Sequence, residues 1–367
     1  MKSRSLFRKR LLSWYRESHR PLPWRSTRDP YSIWISEVLL QQTRVNTGVS
    51  YYERFLDRFP TLSDLAEAPI ESILQVWQGL GYYGRARNLH RAARILKEEF
   101  RGEIPAEPEV LERLPGIGPY TAAAIASIAF DKDVAVLDGN VTRVLCRAYG
   151  IEDDPKHPST RRTLQGLADK LLPKGNAAIF NQAVMELGAL VCKPARPECP
   201  VCPVKGICVA HATNMAERLP LRPPRARIPL RVRVVAAIEV RGRLLFKRRD
   251  PEGLLGGLWE LPGVYLEGRE GNKEGCRRIR KQVGSLVTLQ CIPERSQFSV
   301  KHVYSHFEES IRVFLCKGKS VAKEMSRHRA EQTYRWIHPT RLAPYPLTGA
   351  TRKVLRGLEQ GKAEQGG

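Results

Sequence analysis

The sequence predicts a protein of two domains, an all-α domain followed by an α+β domain. Residues 1–215 show apolar segments of helical period, separated by proline and glycine breaks. Residues 216–230 are rich in proline and arginine, a composition typical of a semi-rigid linker. From residue 231 onward apolar side chains alternate along the chain, as in a half-buried strand. A chain of 367 residues is long enough for two or three packed domains.

The same periodicities predict the individual elements. The first domain is expected to begin with a basic helix and to continue through helices at 32–48, 50–58, 70–78, 84–100, 120–130, 141–149 and 179–191. In the second domain (231–350) the alternation predicts a strand, the pair Arg241-Gly242 predicts a turn, and a second apolar run follows at once. The polar residues 351–367 are predicted to form a frayed tail.

The charge of the chain indicates a polyanionic partner. Lys and Arg number 61 against 38 acidic residues, which gives a formal net charge of +23. The excess is spread over several segments, so a single basic tail does not explain it, and such a field binds phosphates in a salt-dependent way. No apolar run approaches the roughly 20 residues that span a bilayer. We therefore expect a cytoplasmic, nucleoid-associated protein whose partner is nucleic acid.

Four cysteines lie close together at 192, 199, 202 and 208, with the spacing C-x6-C-x2-C-x5-C. In a chain without a secretory signal, such clustering indicates ligands of one metal centre rather than disulfides. All-cysteine zinc sites usually contain two C-x2-C pairs, and this cluster has one. An iron–sulfur cluster accepts looser spacing. The spacing therefore favours a metal centre and leaves the choice between zinc and iron–sulfur open.

A glycine-containing turn, Leu114-Pro-Gly-Ile-Gly-Pro-Tyr120, precedes an alanine-rich helix. Gly116 and Gly118 permit a tight turn whose backbone N–H groups can approach a phosphate, and the helix N-terminus adds its positive dipole end. An ordinary turn between two helices is the alternative. The strong positive charge and the cysteine cluster downstream favour a DNA-binding hairpin.

These motifs together resemble the endonuclease III superfamily of helix–hairpin–helix DNA glycosylases, and within it the MutY-type adenine glycosylases. The resemblance covers the hairpin, the cysteine spacing, and the segments 34–43 (WISEVLLQQT), 136–144 (VLDGNVTRV) and 253–263 (GLLGGLWELPG). It implies a helix–hairpin–helix domain with a [4Fe–4S] cluster held by the four cysteines, and a Nudix-like second domain. It also implies a monomeric base excision repair enzyme that removes adenine mispaired with 8-oxoguanine or guanine in duplex DNA.

Glu37 is the candidate general acid. Helical spacing places it on one face with Trp34 and Gln41, and a carboxyl beside an apolar surface has a raised pKa. A surface glutamate is the alternative for any lone Glu. The resemblance implies that Glu37 protonates the adenine ring and so activates the base as a leaving group.

Asp138 precedes the helix predicted at 141–149, where it can act as the N-cap. Helix N–H donors and the dipole are expected to keep its carboxylate ionised, with a lowered pKa. An anion at that position can stabilise the positive sugar that forms as the glycosidic bond breaks. The resemblance makes Asp138 the catalytic aspartate, supported by Asn140 and Tyr120.

Tyr120 also stands where bifunctional family members carry a lysine. The lysine amine attacks the sugar carbon, and a phenol cannot form that Schiff base. We therefore expect a monofunctional glycosylase in which water is the final nucleophile.

Base removal requires the adenine to leave the helical stack. The resemblance implies that Gln42 and Tyr82 enter the duplex as wedges, and that Leu22, Trp24 and Arg25 line the adenine pocket. Without the resemblance, Trp24 and Tyr82 would be interpreted as packing residues.

The Nudix-like domain raises the alternative of nucleotide hydrolysis, which needs glutamates for Mg²⁺. When Gly284 is aligned with the last glycine of that motif, Arg278, Lys281 and Gln282 occupy the glutamate positions. Cations do not bind a dication, so the domain is expected to recognise DNA rather than to hydrolyse nucleotides.

The resemblance assigns 8-oxoguanine recognition to a Phe-Ser-His loop, which here is Tyr304-Ser305-His306. Two further alternatives are a glycosylase for damaged pyrimidines or G·T mismatches, and a non-catalytic iron–sulfur protein. Tyr120 and the second domain count against the first, and the presence of both Glu37 and Asp138 counts against the second.

Overall fold

The computed structural model describes residues 2–221, 228–284, 286–289, 296–321 and 333–365. The central part of the predicted linker, 222–227, lies outside the described residues. The chain forms two compact units: residues 1–68 with 88–225, and residues 69–87 with 226–367. The second unit thus takes in a short helical segment from within the predicted first domain.

The first unit is built from helices. They are α1 (Lys2–Ser18), α2 (Pro30–Leu40), α3 (Val45–Arg58), α4 (Leu62–Glu67), most of α6 (Gly84–Glu99), α7 (Pro108–Leu111), α8 (Pro119–Phe130), α9 (Gly139–Tyr149), α10 (Pro158–Leu171), α11 (Ala177–Leu190) and α12 (Val209–Ala212). The helix α5 (Ile70–Val76) and the start of α6 belong to the second unit. No helix in the described residues is both long and apolar enough to span a bilayer.

The helix predicted at 32–48 is wrong in its extent, because it is two helices. Asp29 caps α2 by accepting hydrogen bonds from the N–H groups of Tyr31 and Ser32, and the helix ends at Leu40. The chain then turns through four polar residues, with Gln42 in the left-handed region at a φ of 59°. No proline or glycine marks this break, so the apolar periodicity of the sequence predicted one continuous helix.

The core of the first unit forms around α8. Its alanine-rich sequence buries eight of its residues, and small side chains allow close approach of neighbouring helices. Both α2 and α11 pack against it, and α11 also packs against α9. The helices that carry the candidate catalytic residues therefore share one core.

The second unit contains an eight-stranded sheet in the described residues. Its strands are β1 (Leu230–Val240), β2 (Arg243–Arg248), β3 (Trp259–Glu260), β4 (Gly263–Tyr265), β5 (Val287–Leu289), β6 (Phe298–Val303), β7 (Glu308–Val321) and β8 (Tyr334–Ile337). The order is β3-β2-β1-β7-β5, with β4 also paired to β1, β6 to β7 and β8 to β2. The long central pair β1 and β7 is parallel, and the other pairs are antiparallel.

Each face of this sheet is covered by a helix. The helix α13 (Asn272–Val283) buries Ile279 and Val283 against one face. The helix α14 (Gly349–Gln365) buries Ala350 and Val354 against the other. The strand β1 is consequently buried on both faces, and the turn at Arg241-Gly242 has both residues at positive φ, as a two-residue hairpin requires. The predicted fold class, all-α followed by α+β, is confirmed.

The prediction of a frayed tail after residue 350 is wrong. Residues 349–365 form α14, and its apolar side chains Val354 and Leu355 are buried in the sheet core. The segment looks polar in sequence because only a narrow stripe of the helix contacts the sheet, while the remaining positions are charged or polar.

Candidate active site

A cavity of about 630 Å³ opens in the first unit, beside α2, α8, α9 and α11. Its lining includes most of the residues predicted for catalysis and base recognition in this unit: Leu22, Trp24, Arg25, Glu37, Gln42, Gly118, Tyr120, Asp138 and Asn140. In sequence these residues extend from Leu22 to Asn140. The fold thus brings the candidate acid, the candidate anion and the predicted adenine pocket to one site.

Glu37 lies on α2 with only 7% of its surface exposed. Burial raises the pKa of this carboxyl to about 7, against the opposing effect of a hydrogen bond from Tyr120. That bond joins Tyr120 Oη to Glu37 Oε2 at 2.6 Å. The negative charge of Asp138 adds to the rise and the positive charge of Arg25 opposes it. The group is therefore poised to give up a proton near neutral pH.

Trp34 and the cavity lie on different sides of the environment of α2. Trp34 is fully buried, and it is not among the described residues that line the cavity. The cavity face of α2 instead presents Ile33, Leu40 and Gln41 beside Glu37. Apolar and polar side chains of the cavity wall thus surround the Glu37 carboxyl.

Asp138 is the N-cap of α9, as predicted. Its Oδ1 accepts from the Val141 N–H at 2.7 Å, and its Oδ2 accepts from Asn140 Nδ2 at 2.9 Å. The expected lowering of its pKa is wrong, because burial raises the pKa of Asp138 more strongly than these hydrogen bonds and the charge of Arg143 lower it. Capping was visible in the sequence, whereas the depth of burial was not.

A second layer of contacts holds Asn140, and sequence reasoning missed it. Arg143 Nη2 donates to Asn140 Oδ1 at 2.8 Å and to the Gly188 carbonyl at 2.7 Å, and its Nε donates to the Cys192 carbonyl at 2.6 Å. A Cβ at position 188 would lie 2.6 Å from the Asn140 Cβ, so only glycine fits there. Arg143 of α9 thus links Asn140 to Cys192, the first of the four clustered cysteines.

Glu186 is the other functional candidate that sequence reasoning missed. It lines the cavity and pairs with both Arg20 and Arg25, at 2.6 and 2.8 Å. Burial raises its pKa, but the hydrogen bonds from the two arginines prevail and hold it at about 2. The partners are more than 160 residues apart, and no local motif announces them. The two arginines occupy both oxygens of the Glu186 carboxylate, which fixes the guanidinium of Arg25 at the cavity.

The predicted pocket and wedge residues are placed as follows. Trp24 is buried and packs edge-on against Tyr52, with ring centroids 5.3 Å apart, and it also borders the cavity. Gln42 lies at the rim on the left-handed turn between α2 and α3. The positive φ lifts this residue out of the helical path and towards the cavity mouth.

The glycines of the predicted hairpin have different conformations. Gly116 has a φ of +81°, and a Cβ there would lie 2.6 Å from the Asn88 Cβ. Gly118 has an extended backbone at the N-cap of α8, is exposed, and has open space around it. Gly116 is needed for the turn itself, and Gly118 leaves room for an external group at the helix N-terminus.

The four predicted metal ligands, Cys192, Cys199, Cys202 and Cys208, border one small cavity, and none of them forms a disulfide. Apolar side chains including Val144 and Leu187 line the same cavity. Arg147 Nη1 contacts Cys192 Sγ at 3.3 Å. In the described part of the chain, no group of three or more His, Cys, Asp or Glu side chains is arranged to hold a single metal ion. Four soft thiols around an apolar cavity match the donor set of an iron–sulfur cluster.

The remaining predicted DNA contacts lie in the second unit. Tyr82, Tyr304, Ser305 and His306 line a cavity of about 560 Å³, together with Arg352 of α14. Tyr82 is 42% exposed and has a φ of 47°, while Ser305 and His306 are exposed. The grouping of Tyr82 with the 304–306 loop was not predicted, because the two segments are about 220 residues apart in sequence.

The positions that would carry Mg²⁺ ligands in a Nudix hydrolase lie on α13. Arg278 Nη1 donates to the Tyr265 carbonyl at 3.1 Å and to Glu270 at 2.9 Å. The nearby carboxylate is therefore paired with a guanidinium. Lys281 and Gln282 follow on the same helix. These side chains do not form a divalent cation site.

Comparison with known proteins was consistent with both units. Residues 35–170 match the family model of the HhH-GPD superfamily base excision DNA repair proteins, and residues 233–357 match that of the NUDIX domain. The chain is 36% identical to the adenine DNA glycosylase of Rattus norvegicus, over 96% of this chain and 78% of that protein. It is 34% identical to the human adenine DNA glycosylase, over 95% of this chain and 73% of that protein.

Two further proteins resemble the chain over different lengths. The chain is 28% identical to the adenine DNA glycosylase of Buchnera aphidicola (subsp. Acyrthosiphon pisum), over 97% of this chain and 98% of that protein. The solved structure of a thermostable thymine-DNA glycosylase is 31% identical, with a TM-score of 0.54, and covers 58% of this chain and 98% of its own. Similarity to the thymine enzyme covers 58% of the chain, whereas the three adenine DNA glycosylases named above each match at least 95% of it.

Proposed function

The chain belongs to the adenine DNA glycosylase family, and from that premise we propose that it hydrolyses the N-glycosidic bond of adenine mispaired with 8-oxoguanine or guanine in duplex DNA. The protein is a DNA glycosylase of base excision repair. The observation that carries the hydrolysis of the glycosidic bond is the group formed by Glu37, Tyr120 and Asp138 at one cavity.

Glu37 acts as the general acid. With a pKa of about 7, roughly half of the molecules carry the proton at neutral pH, and the acid is strong enough to transfer it. Protonation of a ring nitrogen of adenine turns the base into a neutral leaving group. The hydrogen bond from Tyr120 holds one oxygen of the Glu37 carboxyl and leaves the other for the base.

Asp138 stabilises the sugar cation. As the glycosidic bond lengthens, positive charge develops on the sugar, and an anion fixed nearby stabilises the transition state more than the ground state. Its two oxygens are oriented by the Val141 N–H and by Asn140, so the carboxylate needs little reorganisation. Attraction to the new cation favours the ionised form and offsets the effect of burial on its pKa.

Recognition of adenine falls to the wall of the same cavity. Leu22 and Trp24 offer apolar surface for a planar base, while Glu186 holds Arg25 in place as a hydrogen-bond donor. Gln42 at the rim acts as a wedge on the adenine side. The backbone N–H groups at Gly116 and Gly118 bind a phosphate of the duplex.

The partner base is recognised in the second unit. Tyr82 enters the duplex, and Ser305 and His306 contact the edge of 8-oxoguanine that differs from guanine, namely N7–H and O8. A hydroxyl can accept from N7–H, and an imidazole can donate or accept. Both side chains are exposed and line the cavity that Tyr82 also borders.

The four cysteines hold a [4Fe–4S] cluster, and their convergence on one apolar cavity supports this assignment. Such a cluster would cross-link the 192–208 loop, and the lysines and arginine of that loop would then be held for contact with the DNA backbone. Purified protein should contain about four irons per chain with broad absorption near 400 nm. Stoichiometric zinc without iron in anaerobically prepared protein would contradict the assignment.

The enzyme acts as a monomer and is cytoplasmic, associated with the nucleoid.

The test of the proposed function is single-turnover excision from end-labelled duplexes that carry adenine opposite 8-oxoguanine, guanine, cytosine or thymine. We expect fast excision opposite 8-oxoguanine, slower excision opposite guanine, and little opposite the other two. A matched duplex with thymine opposite guanine tests the activity in the name of the thymine-DNA glycosylase. Excision of that thymine at a rate comparable with adenine would overturn the adenine assignment.

A further inference from the structure

The hairpin that joins β6 to β7 ends in a tip of two residues. The Tyr304 N–H donates to the Phe307 carbonyl at 2.9 Å, which closes the turn and leaves Ser305 and His306 as the exposed tip. Tyr304 flanks the tip, and its side chain is only partly exposed. This residue departs from the phenylalanine that the family resemblance predicts, so its hydroxyl needs a physical account.

The ring of Tyr304 packs against the protein. Its centroid lies 4.5 Å from the ring of His302, edge-on, and 4.7 Å from the ring of Phe307. His302 is two residues earlier on the same side of β6, and Phe307 is the residue across the turn. These contacts leave the ring limited surface on which a nucleobase could stack.

The strand register places Glu309 beside this ring. Val300 pairs with Ile311, and His302 pairs with Glu309, so these side chains share one face of the sheet. Ile311 belongs to the apolar core on that face. Glu309 is therefore the diagonal neighbour of Tyr304 across the hairpin, a separation that an aromatic side chain can bridge.

Glu309 is a buried carboxylate with incomplete pairing. It has no exposed surface, and its nearest cation is Arg233 of β1, with Nη1 3.8 Å from Oε1. Within the described residues neither carboxylate oxygen has a hydrogen-bond partner. Arg233 is itself buried and makes its shorter ion pair, 2.9 Å, with Glu260. A buried carboxylate needs a donor, since an unsatisfied one is costly.

The strand register places the ring of Tyr304 where its hydroxyl can supply that donor. Burial raises the pKa of this phenol, and the negative charge of Glu309 raises it further, so the hydroxyl stays protonated and remains a donor. Tyr265 of β4 lies in the same environment, and burial and Glu309 raise its pKa to about 12. Both phenols are thus neutral hydrogen-bond donors in the environment of Glu309, whose ion pair with Arg233 is long.

We propose that Tyr304 is a positioning residue, whose hydroxyl docks on the buried Glu309–Arg233 pair and thereby fixes the Ser305-His306 tip for recognition of 8-oxoguanine. The proposal rests on the proposed function, because it assigns a role within the same loop. In this arrangement Tyr304 does not stack on DNA, and specificity is carried by the two tip residues. The anchor is polar and particular to a chain that combines Tyr304 with a buried Glu309.

The test uses the full-length protein and measures the ratio of single-turnover excision rates on duplexes with adenine opposite 8-oxoguanine and opposite guanine. Tyr304→Phe keeps the ring and removes the hydroxyl. We expect the ratio to fall by at least about tenfold, the lower end of what one hydrogen bond to a charged acceptor contributes. Glu309→Leu should lower the ratio by a similar factor. The double variant should be no worse than either single variant, because both changes remove the same contact.

The ratio separates positioning from simple stabilisation. A variant that is only partly folded loses both rates in proportion, so its ratio does not change. Tyr334→Phe is the matched control, since it removes a hydroxyl from another half-buried tyrosine of the same unit, and its ratio should equal that of wild type. Thermal unfolding of all variants accounts for any variant that folds poorly.

The outcomes also separate this inference from the proposed function. If Tyr304→Phe retains the wild-type ratio while Ser305→Ala with His306→Ala abolishes it, the hydroxyl has no positioning role and the inference fails alone. If the effects of Tyr304→Phe and Glu309→Leu multiply in the double variant, the two side chains act separately and the inference fails. If the wild-type enzyme shows no preference between the two duplexes, the proposed recognition function fails as well.

Discussion

The carboxyl of Glu37 shows how one residue acquires a raised pKa from its surroundings. Burial raises its pKa to about 7, and the Tyr120 hydroxyl limits the rise. Glu37→Gln keeps the shape and the hydrogen bond and removes the transferable proton. We expect excision to fall by at least 10²–10⁴-fold, the usual contribution of general acid catalysis, with mispair affinity retained. A single-turnover rate within about threefold of wild type would place the acid elsewhere.

The same pKa predicts a dependence of stability on pH. The carboxyl has a pKa near 4.5 in the unfolded chain and about 7 in the folded one, so the folded state binds more protons between these values. Glu37 therefore lowers the free energy of unfolding as pH rises through this window. Glu37→Gln lacks this penalty and should be more stable than wild type at pH 8, by up to about 3 kcal/mol. Denaturant unfolding at pH 5 and pH 8 measures it, and a gap that does not widen with pH contradicts it.

Tyr120 predicts the chemical state of the product DNA. A phenol does not form a Schiff base, so the product should keep an intact abasic site that breaks only with alkali or heat. Borohydride should trap little covalent adduct with wild type or with Tyr120→Phe, and more with Tyr120→Lys. Efficient trapping by the wild-type protein would show that another amine attacks the sugar.

Single candidate site residues could be predicted from the sequence where they belong to short local motifs. Glu37, Asp138 and the four cysteines are all visible as short patterns, and the structure places the two carboxylates on one cavity. The direction of the Asp138 pKa shift and the Glu186 ion pairs were not predictable. Both depend on burial and on partners brought from distant segments.

The elements show the same division between local and tertiary information. Helices with proline or glycine at their ends, such as α8 and α9, were predicted to within two residues. The break between α2 and α3 has neither signal and was missed, although it places Gln42 at the cavity. The helix α14 was missed because its apolar stripe is meaningful only once the sheet exists to cover it.

The hairpin before α8 provides an element-scale prediction with an internal control. Gly116→Ala forces a Cβ into a φ of +81° and to 2.6 Å from the Asn88 Cβ, so it should lower the free energy of unfolding by about 1–3 kcal/mol. Gly118→Ala meets open space at an extended backbone and should leave stability nearly unchanged. Because its methyl group would stand where a phosphate approaches, it should still weaken DNA binding. Thermal unfolding and fluorescence anisotropy measure the two effects, and equal destabilisation by both changes would contradict this account.

For the whole molecule, the net charge of +23 predicts how affinity and selectivity respond differently to salt. Each phosphate that the protein neutralises contributes about −0.9 to the slope of log affinity against log salt on duplex DNA. Affinity for every duplex should therefore fall steeply between about 50 and 200 mM salt. The ratio of excision rates opposite 8-oxoguanine and guanine should change little, because it arises from contacts to a base edge that release no counterions. Anisotropy titrations and single-turnover assays on the same duplexes compare the two quantities. A ratio that falls in step with affinity would show that the charge of the chain, rather than the Ser305-His306 tip, distinguishes the mispairs.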